Sequence, residues 1–297
     1  MFKNEVSEFI YKRTYSRWLD EEARREDWPE TIERFIGFVI SERPDIPEKT
    51  INKIRKYMVE FSVMPSMRFL WAAGPAAKKD NTCIYNCSFT KINSVDAFAE
   101  CLYILMCGTG FGFSVEEEEV NKLSSIPEIR SGQALKKVTI EDSKPGWADS
   151  VRTLMQSLYD GQNIYFDYSE IRLEGARLMT MGGRASGPQP LIKLHDFIRE
   201  TMHNAQGRQL TSLECHDICN QIAEIVVVGG VRRSSQISLS DLHDTDMRQA
   251  KEWPYPIKRA MANNSAIYRE KPSAAEFLKE WASLALSGTG ERGIFNL

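Results

Sequence analysis

From about residue 75 to the end of the chain, helical segments alternate with short apolar runs, and this alternation constrains the fold more than any other feature. Helices are predicted at residues 94–106, 147–159, 191–205, 213–221 and 274–286. Strands are predicted at residues 82–90, 113–115, 137–140, 164–168, 223–231, 236–239 and 293–297. Such alternation is typical of an α/β domain with much parallel strand pairing. We therefore predict an α/β fold for residues 75–297.

The first part of the chain has a different pattern. Apolar residues up to about residue 62 recur at spacings of three and four, which predicts an N-terminal helical region with a charged surface. Residues 67–74 read as an extended or irregular connection. The predicted domains are therefore residues 1–74 and 75–297.

The sequence also predicts the local structure of two polar stretches in the second part of the chain. The acidic run 116–119 is interpreted as a solvated edge, and Asn263 with Asn264 as a hydrogen-bonding corner.

Composition excludes several classes of function. The chain has 297 residues, of which 42% are hydrophobic and 27% charged, and its net charge is -3. A nucleic-acid polymer requires a clustered positive surface, which this charge balance does not favour. No apolar run approaches the roughly 20 residues that cross a bilayer, and the first residues do not resemble a signal peptide. We expect a cytoplasmic protein with no membrane partner.

The six cysteines are too few for a disulfide scaffold in a chain of this length. Cys83 and Cys87 lie four residues apart, as do Cys215 and Cys219, but no second ligand pair at the usual spacing completes a zinc site. We predict no metal site. From spacing alone, Cys87 between Asn86 and Ser88 is either a buried structural thiol or a redox-active one.

A glycine-rich segment at residues 179–190 contains Gly182, Gly183, Arg184, Ala185, Ser186 and Gly187. Its small residues allow backbone N–H groups to approach an anion, although such clusters are also common in plain turns. Arg232 and Arg233 suit either phosphate contacts or a solvated surface.

Six motifs together are more specific than each alone. They read PSMRFLW at 65–71, YNCSF at 85–89, CGTGFGF at 107–113, GGRASGP at 182–188, VGGVRRSSQI at 228–237 and MANNS at 261–265. In this order they resemble the large subunits of ribonucleotide reductases, most closely the adenosylcobalamin-dependent class II type. The resemblance covers about residue 60 to the end.

The resemblance implies a fold and an activity. It implies the first half of a ten-stranded α/β barrel after the helical region, and radical-based reduction of ribonucleotides to deoxyribonucleotides. It also implies adenosylcobalamin as cofactor of the complete enzyme and a deoxynucleotide or ATP as effector. A thioredoxin-like protein would be the reductant, and the C-terminal half of the reductase a partner.

The same resemblance assigns residues by position. Cys87 matches one redox-active cysteine, which reduces the substrate 2′-carbon as a disulfide forms. The substrate-contacting positions would be Ser66, Asn86, Ser88 and the specificity loop Gly182, Gly183, Arg184, Ala185, Ser186 and Gly187. Ser94, at the start of a helix, would face an effector phosphate. The other five cysteines match no catalytic position and are expected to be buried.

The main departure is an absence from the sequence. The family's radical-bearing cysteine lies in an Asn-Pro-Cys-x-Glu segment, and no such segment occurs in these 297 residues. We therefore expect an N-terminal portion of a reductase that is inactive without its C-terminal half. The alternatives are a non-catalytic nucleotide-binding or regulatory fragment, or an iron-dependent class I reductase.

Overall fold

The computed structural model describes residues 2, 4–130, 137–177, 184–228, 235–288 and 290–297, with the backbone alone at 227 and 228. The chain forms two compact units, Met1–Asn86 and Cys87–Leu297. The boundary between these units lies later than the 74–75 boundary predicted from the sequence, and Pro75–Lys79 belongs to the first unit.

The first unit is helical, as predicted. Its helices are α1 (Glu5–Thr14), α2 (Trp28–Glu42), α3 (Glu48–Val59), α4 (Met67–Ala72) and α5 (Pro75–Lys79). Two short antiparallel strands, β1 (Trp18–Leu19) and β2 (Arg24–Arg25), separate the first two helices. The core is formed by the side chains of Tyr11, Trp28, Ile32, Phe35, Ile36, Ile51, Met58, Leu70 and Ala73.

Two local predictions in this unit are wrong. Residues 67–72 form α4 because Ser66 caps it, accepting a hydrogen bond from the backbone N–H of Phe69, and because Leu70 is fully buried in the core. The strand predicted at 82–90 begins only at Cys87, because Asn81–Ile84 forms a 3₁₀ turn that Asp80 caps.

The second unit is built on a parallel sheet, which confirms the α/β prediction. Its strands are β3 (Cys87–Lys91), β4 (Gly110–Ser114), β7 (Gln236–Asp241), β8 (Ala262–Tyr268) and β9 (Gly293–Asn296), in that order across the sheet. All four neighbouring pairs are parallel. A separate parallel pair is formed by β5 (Lys137–Thr139) and β6 (Tyr165–Asp167).

Helices connect these strands. They are α6 (Val95–Met106), α7 (Glu117–Val120), α8 (Lys144–Tyr159), α9 (Gln189–Asn204), α10 (Ser212–Val228), α11 (Thr245–Gln249) and α12 (Ala274–Ser287). Side chains from α6, α8, α9 and α10 share one core with Phe111 and Phe113 of β4. The helices therefore cover the face of the sheet to which these two phenylalanines belong.

The strand predicted at Ala223–Val231 is wrong for residues 223–228, and residues 229–231 lie outside the described part of the chain. Residues 212–228 form one helix, α10, with no glycine or proline to interrupt it. Ile222, Ala223, Ile225 and Val226 are buried against neighbouring helices, so the run is apolar because of its burial and not because it is a strand. Arg232 and Arg233 lie outside the described residues.

No helix in the described part of the chain is long and apolar enough to cross a membrane.

Candidate active site

Cys87 is the first residue of β3 and pairs in register with Gly110 of β4. Its side chain is exposed, whereas Cys83, Cys101, Cys107, Cys215 and Cys219 are buried. The prediction that these five cysteines are buried is confirmed. An exposed thiol on a rigid strand is accessible for exchange chemistry, which the five buried thiols are not.

The strand places Cys87 and Phe89 on one face of the sheet, because side chains along a strand alternate between faces. Phe89 is 54% exposed. Gly112 lies on the same face: a Cβ built there would be 3.1 Å from Cδ2 of Phe89 and 3.2 Å from Cγ2 of Ile237. We call this the open face, defined by Cys87, Phe89, Gly112, Ile237 and Asn263.

Asn263 belongs to the open face through strand register. Gly112 pairs with Ile237, and Ile237 pairs with Asn263, so the three residues form one row across β4, β7 and β8. Asn263 is exposed, while its neighbour Asn264 is buried on the helix-covered face. The predicted corner at these two asparagines is wrong, because both lie inside β8.

Gly112 and Asn263 are not among the site residues that the sequence predicts. The sequence feature that could have placed Gly112 on this face is the alternation of glycine and phenylalanine at residues 110–113. In a strand, that pattern places small residues on one face and large ones on the other.

The opposite face of the sheet is lined with polar side chains that contact helices. The amide of Gln236 donates to the Cys219 carbonyl of α10, 3.2 Å away. Ser238 lies 3.0 Å from Nδ1 of His216, also on α10. These contacts show that α10 covers this face of the sheet.

The predicted site residues around Cys87 occupy different settings. Ser88 is half-buried on the face opposite to Cys87, and its hydroxyl donates to the Gly110 carbonyl at 2.9 Å. Asn86 is an exposed residue of the first unit, directly before β3. Ser66 belongs to the first unit, where its hydroxyl caps α4. Ser94 occupies the N-cap position of α6 without a side-chain capping bond.

The glycine-rich loop at residues 182–187 is partly described. Gly182 and Gly183 lie outside the described residues, whereas Arg184, Ala185, Ser186 and Gly187 lie inside them. Ala185 exchanges two backbone hydrogen bonds with the preceding arm, to Gly175 at 2.9 Å and Ala176 at 2.8 Å. Arg184 donates to the Gly175 carbonyl at 2.9 Å. The N–H of Ala185 is therefore already bonded and does not face an anion.

Gly187 shows why this loop needs glycine. Its φ is +71°, a region that residues with a Cβ rarely adopt, and a Cβ there would be 3.2 Å from the Glu174 nitrogen. Ser186 makes one long bond, 3.4 Å to the Gly187 carbonyl.

The acidic run at residues 116–119 is not simply a solvated edge, so that prediction is wrong. Glu116 and Glu119 are buried. Glu119 accepts hydrogen bonds from Lys122 (2.7 Å), Lys91 (2.6 Å) and Asn93 (3.0 Å), and these bonds lower its pKa to about 2. Glu116 pairs with Arg269 at 2.6 Å. Specific cations compensate both buried carboxylates, so the run has a structural role.

Within the described ranges, no group of three or more histidine, cysteine or acidic residues is arranged to hold a metal ion.

Comparison with known proteins agrees with the sequence motifs. A family model described as the ribonucleotide reductase alpha domain matches residues 1–75. The adenosylcobalamin-dependent ribonucleoside-triphosphate reductase of Lactobacillus helveticus is 28% identical over 99% of this chain and 48% of its own length. The enzyme of the same name from Euglena gracilis is 27% identical over 89% of this chain and 39% of its own length.

A solved structure also matches. The crystal structure of a B12-dependent, class II ribonucleotide reductase superimposes with a TM-score of 0.84 at 25% identity, covering 97% of this chain and 48% of that one. The resemblance to class II ribonucleotide reductases is confirmed. The chain spans about half the length of curated relatives such as the Lactobacillus enzymes.

Proposed function

We propose that this chain is the N-terminal portion of a class II ribonucleotide reductase and that Cys87 is one of its two redox-active cysteines. The observation that supports this most directly is the exposure of Cys87 on the open face, in a chain that matches class II reductases over almost all its length. The five-stranded parallel sheet would be the first half of a ten-stranded barrel, with residues 1–74 as the helical region and 75–297 as the incomplete catalytic domain.

The proposed step is a two-electron reduction. Cys87 and a partner thiol would each give up one proton and one electron as their sulfurs join in a disulfide. The C2′–O bond of the ribonucleotide breaks, its hydroxyl leaves as water, and a C2′–H bond forms. A thioredoxin-like dithiol would then reduce the disulfide by exchange. The partner thiol and the radical cysteine belong to the C-terminal half in this proposal.

The open face provides a surface for the ribose. Gly112 is buried, because the side chains of Phe89 and Ile237 pack against the position where a Cβ would be. We add the exposed Asn263 to the proposed substrate-contacting residues. Asn263 offers an amide donor and a carbonyl acceptor on the same face as the thiol.

The remaining assignments follow the family resemblance. Ser66, Asn86 and the loop 182–187 would contact the substrate, and Ser94 would lie near the effector, a deoxynucleotide or ATP. Ser88 lies on the face opposite to Cys87, so we propose that it positions β3 and does not contact the substrate. The complete enzyme would act in the cytoplasm.

The open face does not offer an imidazole that could ligate the cobalt of adenosylcobalamin. The open face presents a thiol, two apolar side chains, a glycine and an amide, and no imidazole. His195 and His216 are buried in the helical layer, where neither can approach a cofactor. We therefore place the cofactor site of the complete enzyme outside these residues and assign no step to it.

The test combines this chain with a second polypeptide that carries the Asn-Pro-Cys-x-Glu segment of a class II relative. With adenosylcobalamin, a dithiol and a ribonucleotide, the mixture should form deoxyribonucleotide, and Cys87→Ser should reduce turnover to background. Thr90→Ser, a change of similar size on the opposite face of β3, is the matched control and should retain activity. A fully active Cys87→Ser mixture would exclude the proposed role, and an inactive wild-type mixture would favour a non-catalytic nucleotide-binding fragment.

A further inference from the structure

A cluster of buried polar side chains lies between α10 and the sheet, on the face opposite to the open face. Four of its polar atoms have no hydrogen-bond partner among the residues that the structure describes: Nε2 of His216, Oδ1 of Asn220, Oε1 of Gln236 and Oδ1 of Asn264. These four residues, which we call the polar cluster, are at most 6% exposed. Leaving a buried polar atom unpartnered is costly, and native interiors usually satisfy such atoms with protein groups or bound water.

Contacts hold the members of the polar cluster close together. Nδ1 of His216 lies 3.0 Å from the Ser238 hydroxyl, and Ser238 is the register partner of Asn264. The amide of Asn220 donates to the His216 carbonyl at 2.7 Å, one turn earlier in α10. The amide of Gln236 donates to a carbonyl of the same turn, 3.2 Å away. This turn of α10 therefore lies over Gln236 and Ser238, next to Asn264 of the adjoining strand.

The two rows of the sheet that contain the polar cluster become less bulky from β4 to β8. In β4 the rows begin with Phe111 and Phe113, and in β8 they end with Ala262 and Asn264. Ser238 of β7 lies between Phe113 and Asn264. Small side chains fill less of the space under α10 than phenylalanine does, which is the condition for a small polar ligand to fit beside the unpartnered atoms.

The unpartnered atoms indicate the chemistry of such a ligand. The oxygens of Asn220 and Gln236 are correctly assigned, because the other amide atom of each contacts a carbonyl and must be the N–H group. Burial, with Arg259 and Lys251 nearby, lowers the pKa of His216 to about 3, so its ring is neutral at pH 7. The ligand must therefore donate to amide oxygens and share one hydrogen bond with a neutral imidazole. The nearby arginine and lysine disfavour a cation, whereas water both donates and accepts.

We propose that the polar cluster binds one or more ordered water molecules, which bridge α10 to β7 and β8. The waters donate to the amide oxygens of the cluster and share a hydrogen bond with Nε2 of His216. Asn264 directly follows Asn263, so the waters lie behind the strand that carries this exposed residue of the open face. The site does not depend on the proposed function, because no step of nucleotide reduction uses it.

The first test counts long-lived internal waters in the chain by oxygen-17 magnetic relaxation dispersion. Asn220→Leu replaces the amide with an apolar group of nearly the same shape, so the dispersion amplitude should fall by at least the contribution of one water. Asn204→Leu changes an exposed asparagine at the end of α9 and should keep the wild-type amplitude. Equal amplitudes in wild type and Asn220→Leu would overturn the proposal.

A crystal structure of the wild-type chain provides a test that requires no variant. Ordered water should lie within hydrogen-bond distance of at least two of the four unpartnered atoms. Density that shows these atoms in contact with protein groups alone would contradict the proposal.

The sign of a stability change separates a hydrated cluster from a dry one. If water satisfies the cluster, Asn220→Leu removes hydrogen bonds, and the unfolding equilibrium constant should rise about fivefold relative to Asn204→Leu, the equivalent of one net hydrogen bond. In a dry cluster the same change removes an unsatisfied group, so the constant should fall. A fall would overturn the proposal.

A monovalent cation is the other ligand that amide and carbonyl oxygens bind. Wild type and Asn220→Leu should respond equally when potassium chloride replaces tetramethylammonium chloride at equal ionic strength. A stabilisation by potassium that is present in wild type and lost in Asn220→Leu would show that the cluster binds a cation, and the assignment of water would be wrong.

Discussion

The Ser88 hydroxyl donates a hydrogen bond to the Gly110 carbonyl, 2.9 Å away, in addition to the parallel ladder between β3 and β4. Gly110 is the register partner of Cys87, so this bond connects the thiol-bearing strand to the glycine strand at the position of the thiol. In the described sheet β3 is an edge strand, paired on one side only. The Ser88 bond therefore helps to hold Cys87 in a fixed position.

Cys87 should be the one thiol that reacts rapidly with an alkylating reagent in the native chain. The other five cysteines are buried, so their modification requires local or global opening. Peptide mapping after brief iodoacetamide treatment should find the label on residue 87, and all six cysteines should react in urea. Cys87→Ser should show almost no rapid labelling. Fast labelling of Cys101 or Cys219 in the folded chain would show that the described core is wrong.

Gly112→Ala should destabilise the second unit by about 1–2 kcal/mol, because the new methyl group would be too close to three groups. The Cβ would lie 3.1 Å from Phe89, 3.2 Å from Ile237 and 3.3 Å from the Ser88 carbonyl, which is backbone and cannot rotate away. The measurement is the free energy of unfolding from urea titration.

Gly37→Ala is the contrasting variant. This glycine lies within α2 and nothing stands within 4 Å of its Cβ position, so alanine should stabilise the first unit by about 0.5–1 kcal/mol. A stabilising effect of Gly112→Ala would contradict the close contact described on the open face.

Two buried histidines should make stability fall as the pH drops below 6.5. Burial, with Arg199 nearby, lowers the pKa of His195 to about 3, and burial, with Arg259 and Lys251 nearby, lowers that of His216 to about 3. The unfolded chain binds protons at its ordinary pKa near 6.5, whereas the folded chain does not until about pH 3. Stability is thus fully present above pH 6.5 and is lost as the pH falls, by up to about 1.4 kcal/mol per pH unit for each histidine.

The informative window is pH 6.5 to 5, above the range in which carboxylates titrate. His216→Asn should reduce the slope of unfolding free energy against pH in this window. His243→Gln changes an exposed histidine and serves as the control, with the wild-type slope expected. Identical slopes for wild type and His216→Asn would mean that His216 is protonated in the folded chain.

Glu119 should cause a second decrease in the free energy of unfolding, at a lower pH than the decrease caused by the two histidines. Its folded pKa of about 2 is below the ordinary 4.5, because Lys122 and Lys91 donate to the ionised form. The stabilisation is present above pH 4.5 and is lost as the pH falls toward 2. Glu119→Gln should lower stability at pH 7 and flatten this decrease. Glu118→Gln changes the exposed neighbour, so it should alter neither the stability at pH 7 nor the acidic decrease. If Glu119→Gln leaves the acidic decrease unchanged, another group causes that decrease.

Local pattern predicted the elements with strong periodicity. Three long helices were predictable because the spacing of their apolar residues is unambiguous; they lie at residues 95–106, 144–159 and 189–204. The parallel strand pairing was predictable from the alternation of helices and short apolar runs. The errors occurred where burial, and not local preference, decided the conformation. Ala223–Val226 resembles a buried strand in composition but continues α10, and Met67–Ala72 becomes helical because Leu70 enters a core.

The features of the candidate site also divide into those that the sequence determined and those that only the tertiary structure decided. Sequence alone determined the α/β class and the ordered motifs that resemble a class II reductase, because these depend on residue identity and spacing. Spacing left the role of Cys87 open, and the resemblance of the motifs proposed it as redox-active. Only the tertiary structure decided that Asn263 shares a face with Cys87, since strand register relates residues far apart in sequence. It also placed His195 against Ser150 and Tyr168, and buried Glu119 among its cations, because such contacts arise only when separate elements pack together.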